Sequence, residues 1–338
     1  MQSTKYLGNI VAADAKNDLN VQNRVAKGMG NITRVMNILD KVTLGKHYFK
    51  TAILLRESIL LSALLTNSES WHGLTSTNIN KLEQVDKLLL RKIFKTPIST
   101  PTEAMYLELG ILRIGTIIKA RRINFLHYLL TRNETEMLSQ VFRVQWSHPV
   151  KNDWTILVQQ DLKDFNLEVN LSNIKRKSKL SFKNLVRVKA HEYELNQLLK
   201  RKQKHSKLDN LVFSKIETQK YLELENMNSK EAQVLFKYRT RMANYGENFR
   251  GNKSLIICPL CHTHLDNQKM SYENCPVLQK NMNIPGSYNQ IFNTSVPREV
   301  VQTLVKIDEF RQNFMSQNEA NSTRQHESWM GASDNLII

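Results

Sequence analysis

All three cysteines of this chain fall in one short stretch: Cys258-Pro259-Leu260-Cys261, then thirteen residues, then Cys275-Pro276. A single tight turn aims two thiols separated by two residues at one point, and Cys275 is placed to return as a third ligand. Few features constrain a fold more, because this loop must close on itself whatever packs around it. The odd count and the clustering argue against a secreted disulfide framework. They point to an intracellular protein, nuclear or cytoplasmic, that carries a metal-organised element.

The rest of the chain reads as mainly α. Glycine and proline are sparse, 11 and 7 in 338 residues, which disfavours turn-rich sandwiches and barrels, and 41% hydrophobic residues suffice for a core. KYLGNIV (5–11) reads as a short strand or hairpin, with Asp14 to Asn17 as a polar turn. Val21, Val25, Met29, Ile32, Val35 and Leu39 then recur at helical spacing, with Gly28 and Gly30 weakening the helix or admitting a close neighbour. Helices are expected over about 46–65 and 78–94, and Thr100-Pro101-Thr102-Glu103 reads as a capping box opening a helix that ends before Gly110. Further helices are expected over 114–130, 134–146, 153–164, 178–202, 230–243 and 298–314, with a polar, disordered tail from about Gln317. The longest apolar run, Ile59 to Leu65, is far short of the roughly 20 residues that span a bilayer, so no membrane partner is expected.

The formal charge is +17. Such an excess attracts polyanions, nucleic acid first. Between Lys175 and Lys207, twelve Lys/Arg stand against two acids, Glu192 and Glu194, and aromatics are few. Contact with backbone phosphates is expected there in preference to base stacking, with Lys200, Arg201, Lys202 and Lys204 as its densest cluster.

Several segments taken in order resemble the C-terminal region of non-LTR (LINE-type) retrotransposon reverse transcriptases. KYLGNIVAAD (5–14) and RVAKGMGNITRVMNIL (24–39) are similar to the junction of palm and thumb. ESWHGLT (69–75), LEQVDKLLLRKIF (82–94), STPTEAMYLELGILRI (99–114) and ARRINFLHYLL (120–130) resemble the helical region that follows. CPLCHTHLDNQKMSYENCP (258–276) resembles the terminal Cys/His knuckle, and YNQIFNTSV (288–296) the segment after it.

The resemblance implies an order of parts: the end of a palm-like strand segment (1–17), a thumb-like helical bundle (18–97) and a basic helical connector (98–250). A Cys-rich, zinc-knuckle-like element (251–290), a C-terminal helix (291–316) and the tail (317–338) complete it. It implies RNA or DNA as partner, template or primer–template duplex, with a polymerase palm upstream. Arg24, Lys27 and Arg34 on the first helix, Lys119, Arg121 and Arg122 on the sixth, and Arg239 and Arg241 become candidate nucleic-acid contacts. No catalytic residue is expected. The chain has no Asp-Asp dipeptide, which the family's two-metal polymerisation needs, and it starts beyond that motif. Asp153, Asp161 and Asp164 read as one polar helix face, Trp71, Trp146 and Trp154 as packing anchors, and His127 as a core-edge residue.

In the family the fourth knuckle ligand is a His four or five residues before the last Cys, where this chain has Met270, a poor ligand for zinc. His264 is expected to take its place beside Cys258, Cys261 and Cys275, with His262, Glu273 or water as alternatives, around a structural Zn2+. The rival expectation is a degenerate element copy that serves only as a helical protein-interaction scaffold.

Overall fold

The chain is mainly helical, with one two-stranded antiparallel sheet among the described residues. The computed structural model describes residues 3–6, 9–12, 17–42, 45–150, 153–224, 227–248, 256–293 and 295–333. The short strand or hairpin expected over 5–11 is a pair of antiparallel strands, β1 (Ser3–Tyr6) and β2 (Asn9–Ala12), with Ser3 opposite Ala12 and Tyr6 opposite Asn9. Pairing satisfies backbone groups that a lone strand would leave open. The polar turn expected at 14–17 lies outside the described residues up to Asn17.

α1 (Asp18–Leu39) buries Val21, Ile32, Val35 and Leu39 as its spacing requires. Met29, expected on that stripe, is 46% exposed, and Gly28 faces inward instead. A Cβ at Gly28 would stand 2.5 Å from the Leu64 side chain, so the bare backbone is what lets the helices approach. α2 (Gly45–Leu55) continues through a π-helical segment (Arg56–Leu61) into the single turn α3 (Ser62–Leu64). Arg56 in the π-segment points inward and forks onto Asp86 of α4 (Ser76–Phe94) with two hydrogen bonds of 2.7 Å. The Tyr106 hydroxyl of α5 (Thr102–Leu109) donates to the same carboxylate at 2.8 Å. Fully buried, the pair holds only because each partner matches the other.

The capping box expected at Thr100 does not form. Pro101 occupies the cap position of α5 without a side-chain bond, the Thr100 hydroxyl is buried without a partner, and Glu103 accepts from Thr102. α5 ends at Gly110 in the left-handed conformation, as expected.

α6 (Ile114–Thr131), α7 (Met137–Ser147), α8 (Trp154–Asp164), α9 (Leu171–Arg176) and α10 (Lys179–Lys202) build a second layer. It has its own core of Ile123, Leu126, Phe142, Trp154, Val158, Phe182 and Val186, among others. α11 (Ser229–Arg239) returns to the first core, where Phe236 stacks on Phe94 with ring centres 3.9 Å apart. α12 (Gln268–Asn274) and α13 (Pro276–Asn281) flank Cys275, and α14 (Arg298–Ser333) packs on α11. α14 runs through the expected tail, because no proline interrupts it and its first glycine is Gly331.

The cores do not follow the sequence boundaries at 97 and 250. The first extends from Val21 to Ile307 and includes Cys258, Cys275 and Leu278, while the second lies between Ile123 and Ala190. α6 and α10 serve both: Ile118 and Leu198 face the first core, Leu126 and Val186 the second. At their crossing, buried Glu194 of α10 accepts from the Arg113 backbone and side chain and from the Thr116 hydroxyl. No helix among the described residues is long and apolar enough to cross a membrane.

Candidate metal centre and charged surface

An isolated antiparallel bridge, Ile257 to Leu265, closes the ends of the cysteine loop. Inside it Cys258 N–H donates to His264 O at 2.8 Å, and His262 N–H to Cys258 O at 3.0 Å. This folds Cys258 to His264 into one knuckle, with His262 left-handed at φ +55° on its exposed tip. Asn267 then caps α12, which carries the chain to Cys275, and Cys275 in turn caps α13 with Pro276 at its first position.

The result brings Cys258, Cys261, His264 and Cys275 together, with their ligand atoms all within 4.8 Å of one another. A tetrahedral zinc with sulfur and imidazole ligands has ligand–ligand edges of roughly 3.3–3.8 Å, so a small contraction closes the set. The imidazole is oriented for the task. His264 Nδ1 lies 2.8 Å from Leu265 O, which assigns it the proton and leaves Nε2 as an acceptor. That Nε2 is buried and has no hydrogen-bond partner. An orphaned acceptor beside three sulfurs is what a bound cation would satisfy.

The other fourth-ligand alternatives are placed elsewhere. His262 is exposed on the turn, and the Glu273 carboxylate accepts from Ser287 at 3.1 Å and from Tyr288 N at 3.2 Å. Met270 sits on α12, its sulfur accepting from Asn274. The thiols differ in acidity. Burial raises Cys261, but the Thr263 hydroxyl and amide and the neighbouring thiols outweigh it and bring Cys261 down to about 6. Cys275 is pushed up to about 11 by burial, with the Cys258 and Cys261 sulfurs adding to the effect. Three sulfurs this close become thiolates together when a cation neutralises them.

Behind the ligands lies a clamp that the sequence did not reveal. Asp266 accepts from Gly246 N at 2.7 Å and from Arg311 Nη2 of α14 at 2.9 Å. Arg311 lies over the Tyr245 ring, 4.0 Å from its centre. Its partner is 45 residues away, and no local spacing rule connects them.

The expected nucleic-acid contacts divide. Arg24 is buried and donates to Ala63 O and Asn9. Arg122 forks onto buried Asp161 at 2.6 and 3.1 Å, and Lys119 pairs with Asp164. Arg121 reaches Leu65 O at 2.5 Å, and Arg239 pairs with buried Glu108 at 3.0 Å. These five side chains hold helices together instead of facing solvent, and Asp161 and Asp164 are their partners, not an open polar face. Lys27, Arg34, Lys200, Arg201 and Lys204 are exposed, and Lys202 and Arg241 half-exposed. Trp71 and Trp154 are buried anchors, Trp146 is half-buried, and His127 stacks on Phe182 inside the second core.

No family model, curated protein or solved structure matches the chain.

Proposed function

We propose that this chain is a non-catalytic nucleic-acid-binding module, locked by a structural Zn2+ on Cys258, Cys261, His264 and Cys275. We propose further that it works as the template- or duplex-gripping C-terminal part of an RNA-directed DNA polymerase of the non-LTR retrotransposon kind. The observation that carries the binding reading is how the charge is distributed. Among the described residues five of the six buried arginines, Arg56, Arg113, Arg122, Arg239 and Arg311, are matched to a carboxylate, only Arg24 is not, and no lysine is buried, so most of the +17 surplus lies outside the core. The four-ligand centre is closed and half in the core, which suits fold-locking rather than chemistry. When bound, the ion neutralises the thiolates and fixes the loop; the chain's own residues capture the polyanion by charge.

A salt titration of the purified chain with fluorescent RNA and DNA duplexes tests this. Log affinity should fall linearly with log salt, as counterion release requires. A flat response overturns the reading. DNA synthesis should be absent from this chain alone and appear when a polymerase palm is supplied.

A second reading, a protein-interaction scaffold, is favoured by α7. Met137, Val141 and Val144 lie exposed along one face of it at 80%, 45% and 64%. Partner binding indifferent to charge reversal at Lys183, Arg187, Lys200, Arg201 and Lys204 together would favour it.

A further inference from the structure

We infer that the phosphodiester backbone of a nucleic-acid duplex docks on the N-terminal half of α10, across Arg176, Lys177, Lys179, Lys183 and Arg187. The inference rests on the nucleic-acid reading above and moves the contact away from the Lys200–Lys204 cluster that the sequence favoured.

Between Glu168 and Glu192 there are seven cations and no acid. Two of the seven are neutralised within the fold, Lys175 by Glu134 at 3.3 Å and Lys189 by Glu192 at 2.8 Å. The other five are exposed, and among the described residues no carboxylate lies within ion-pair distance of them. Lys179, Lys183 and Arg187 repeat every four residues, so they form a row with about 6 Å between successive positions. Exposed Asn184, three residues before Arg187 and so beside it on the helix, offers a further phosphate donor.

Helix electrostatics separates the two ends of α10. Lys200, Arg201 and Lys202 occupy the last turn, where the helix dipole favours cations and no ligand is needed to explain them. At the first turn the same dipole disfavours cations, yet Lys179 stands there and no acid offsets it; Arg176, just before it, ends α9, whose own dipole favours it. A charge pattern that costs stability is where a bound anion has most to offer.

The platform is rigid. Phe182 and Val186 anchor the helix in the second core. His127 Nε2 lies 2.9 Å from the Lys177 carbonyl and its ring stacks on Phe182, which fixes the α9–α10 junction. Phe182 is buried and Tyr193 is covered by Lys119, so no exposed aromatic on this face offers a base a stacking partner. That favours a duplex read through its backbone over single strands read by stacking.

The test compares two variants of the full chain on a short fluorescent duplex across a salt series. One combines Arg176→Gln, Lys179→Gln, Lys183→Gln and Arg187→Gln; the other combines Lys200→Gln, Arg201→Gln and Lys204→Gln. The first should lower the slope of log affinity against log salt by about 3 to 4 on B-form DNA, at about 0.9 per lost phosphate contact, and weaken binding at least roughly tenfold. Its melting temperature should hold, because all four side chains are exposed and none has a carboxylate partner among the described residues. The second should change the slope by less than about one. The inference is overturned if the first variant binds like the wild type, if the loss follows the second, or if the wild type prefers single strands or anionic vesicles to duplex. A wild type that binds no nucleic acid at all overturns the broader reading; unchanged binding by the first variant overturns this inference alone.

Discussion

His264 differs from His262 in the hydrogen bond its ring makes, not in its closeness to the cysteines. With Nδ1 held by Leu265 O, the buried and unpartnered Nε2 is the ring nitrogen left to accept a cation, while His262 supplies a left-handed turn and faces solvent. His264→Ala should therefore weaken zinc binding at least about 100-fold, beyond what loss of a mere outer-shell partner costs, and His262→Ala should change it only a few-fold. Competition against a chromophoric chelator measures both, and equal losses would refute the assignment. The pH response has a definite sign. Metal binds the thiolates, so affinity rises with pH. Cys275, pushed up to about 11, still gives up a proton on binding at neutral pH. Cys261, at about 6, is already ionised above that value and has a proton to lose on metal binding only below it, so the loss of affinity on acidification should steepen below about pH 6. The cysteine cluster was legible in the sequence because its ligands are neighbours in the chain. The roles of Arg122 and Arg239 were not legible, because a basic residue on an amphipathic helix reads the same whether it faces water or a carboxylate of another element. Their partners Asp161 and Glu108 lie 39 and 131 residues away.

Among the elements, those with a long apolar period were readable almost to the residue. α4 and α8 were expected at 78–94 and 153–164 and span Ser76–Phe94 and Trp154–Asp164. The short pieces around the candidate metal site, α12 and α13, at 7 and 6 residues, escaped because they are too short to show a period. The start of α5 was misread because a capping signature describes a local option, which burial of Thr100 removed. Its end was read correctly, and the structure adds a second reason for Gly110. Besides its φ of +65°, a Cβ there would stand 2.1 Å from the Glu217 backbone carbon. That approach lets Gln219 N–H donate to Glu108 O and the Thr218 hydroxyl to Leu109 O, at 2.9 and 3.0 Å. Gly110→Ala should therefore destabilise the chain by about 3 kcal/mol, from backbone strain and overpacking combined. Gly30→Ala, in the interior of α1 with nothing within 4 Å of its added Cβ, should stabilise it by about 0.5–1 kcal/mol. Urea unfolding of both variants checks the pair, and a Gly110→Ala chain as stable as the wild type or more so would show that the contact at Gly110 is unimportant.

Across the whole molecule, the candidate metal centre sits within the first core. Cys258 and Cys275 are fully buried among residues that extend from α1 to α14, and Asp266 ties the knuckle to Arg311. The second core shares α6 and α10 with the first but includes none of the four candidate ligands. Removing the ion would leave three sulfurs and an unpartnered imidazole nitrogen without their common partner, and the loop would lose the cross-link that closes it. The damage should then spread by packing and not by sequence distance. In hydrogen exchange after chelation, protection should fall first over 256–293. It should fall next in α11 and in α14 around Arg311, whose buried charge depends on an ordered Asp266. α8 and the N-terminal half of α10 should keep their protection, because Trp154, Val158, Phe182 and Val186 pack in the other core. The same partition separates the two tasks assigned to the molecule. If the duplex lies on the N-terminal half of α10, the chelated protein should retain most of its duplex affinity at moderate temperature while losing thermal stability. Affinity lost in proportion to zinc would instead place the nucleic-acid contact on the knuckle itself.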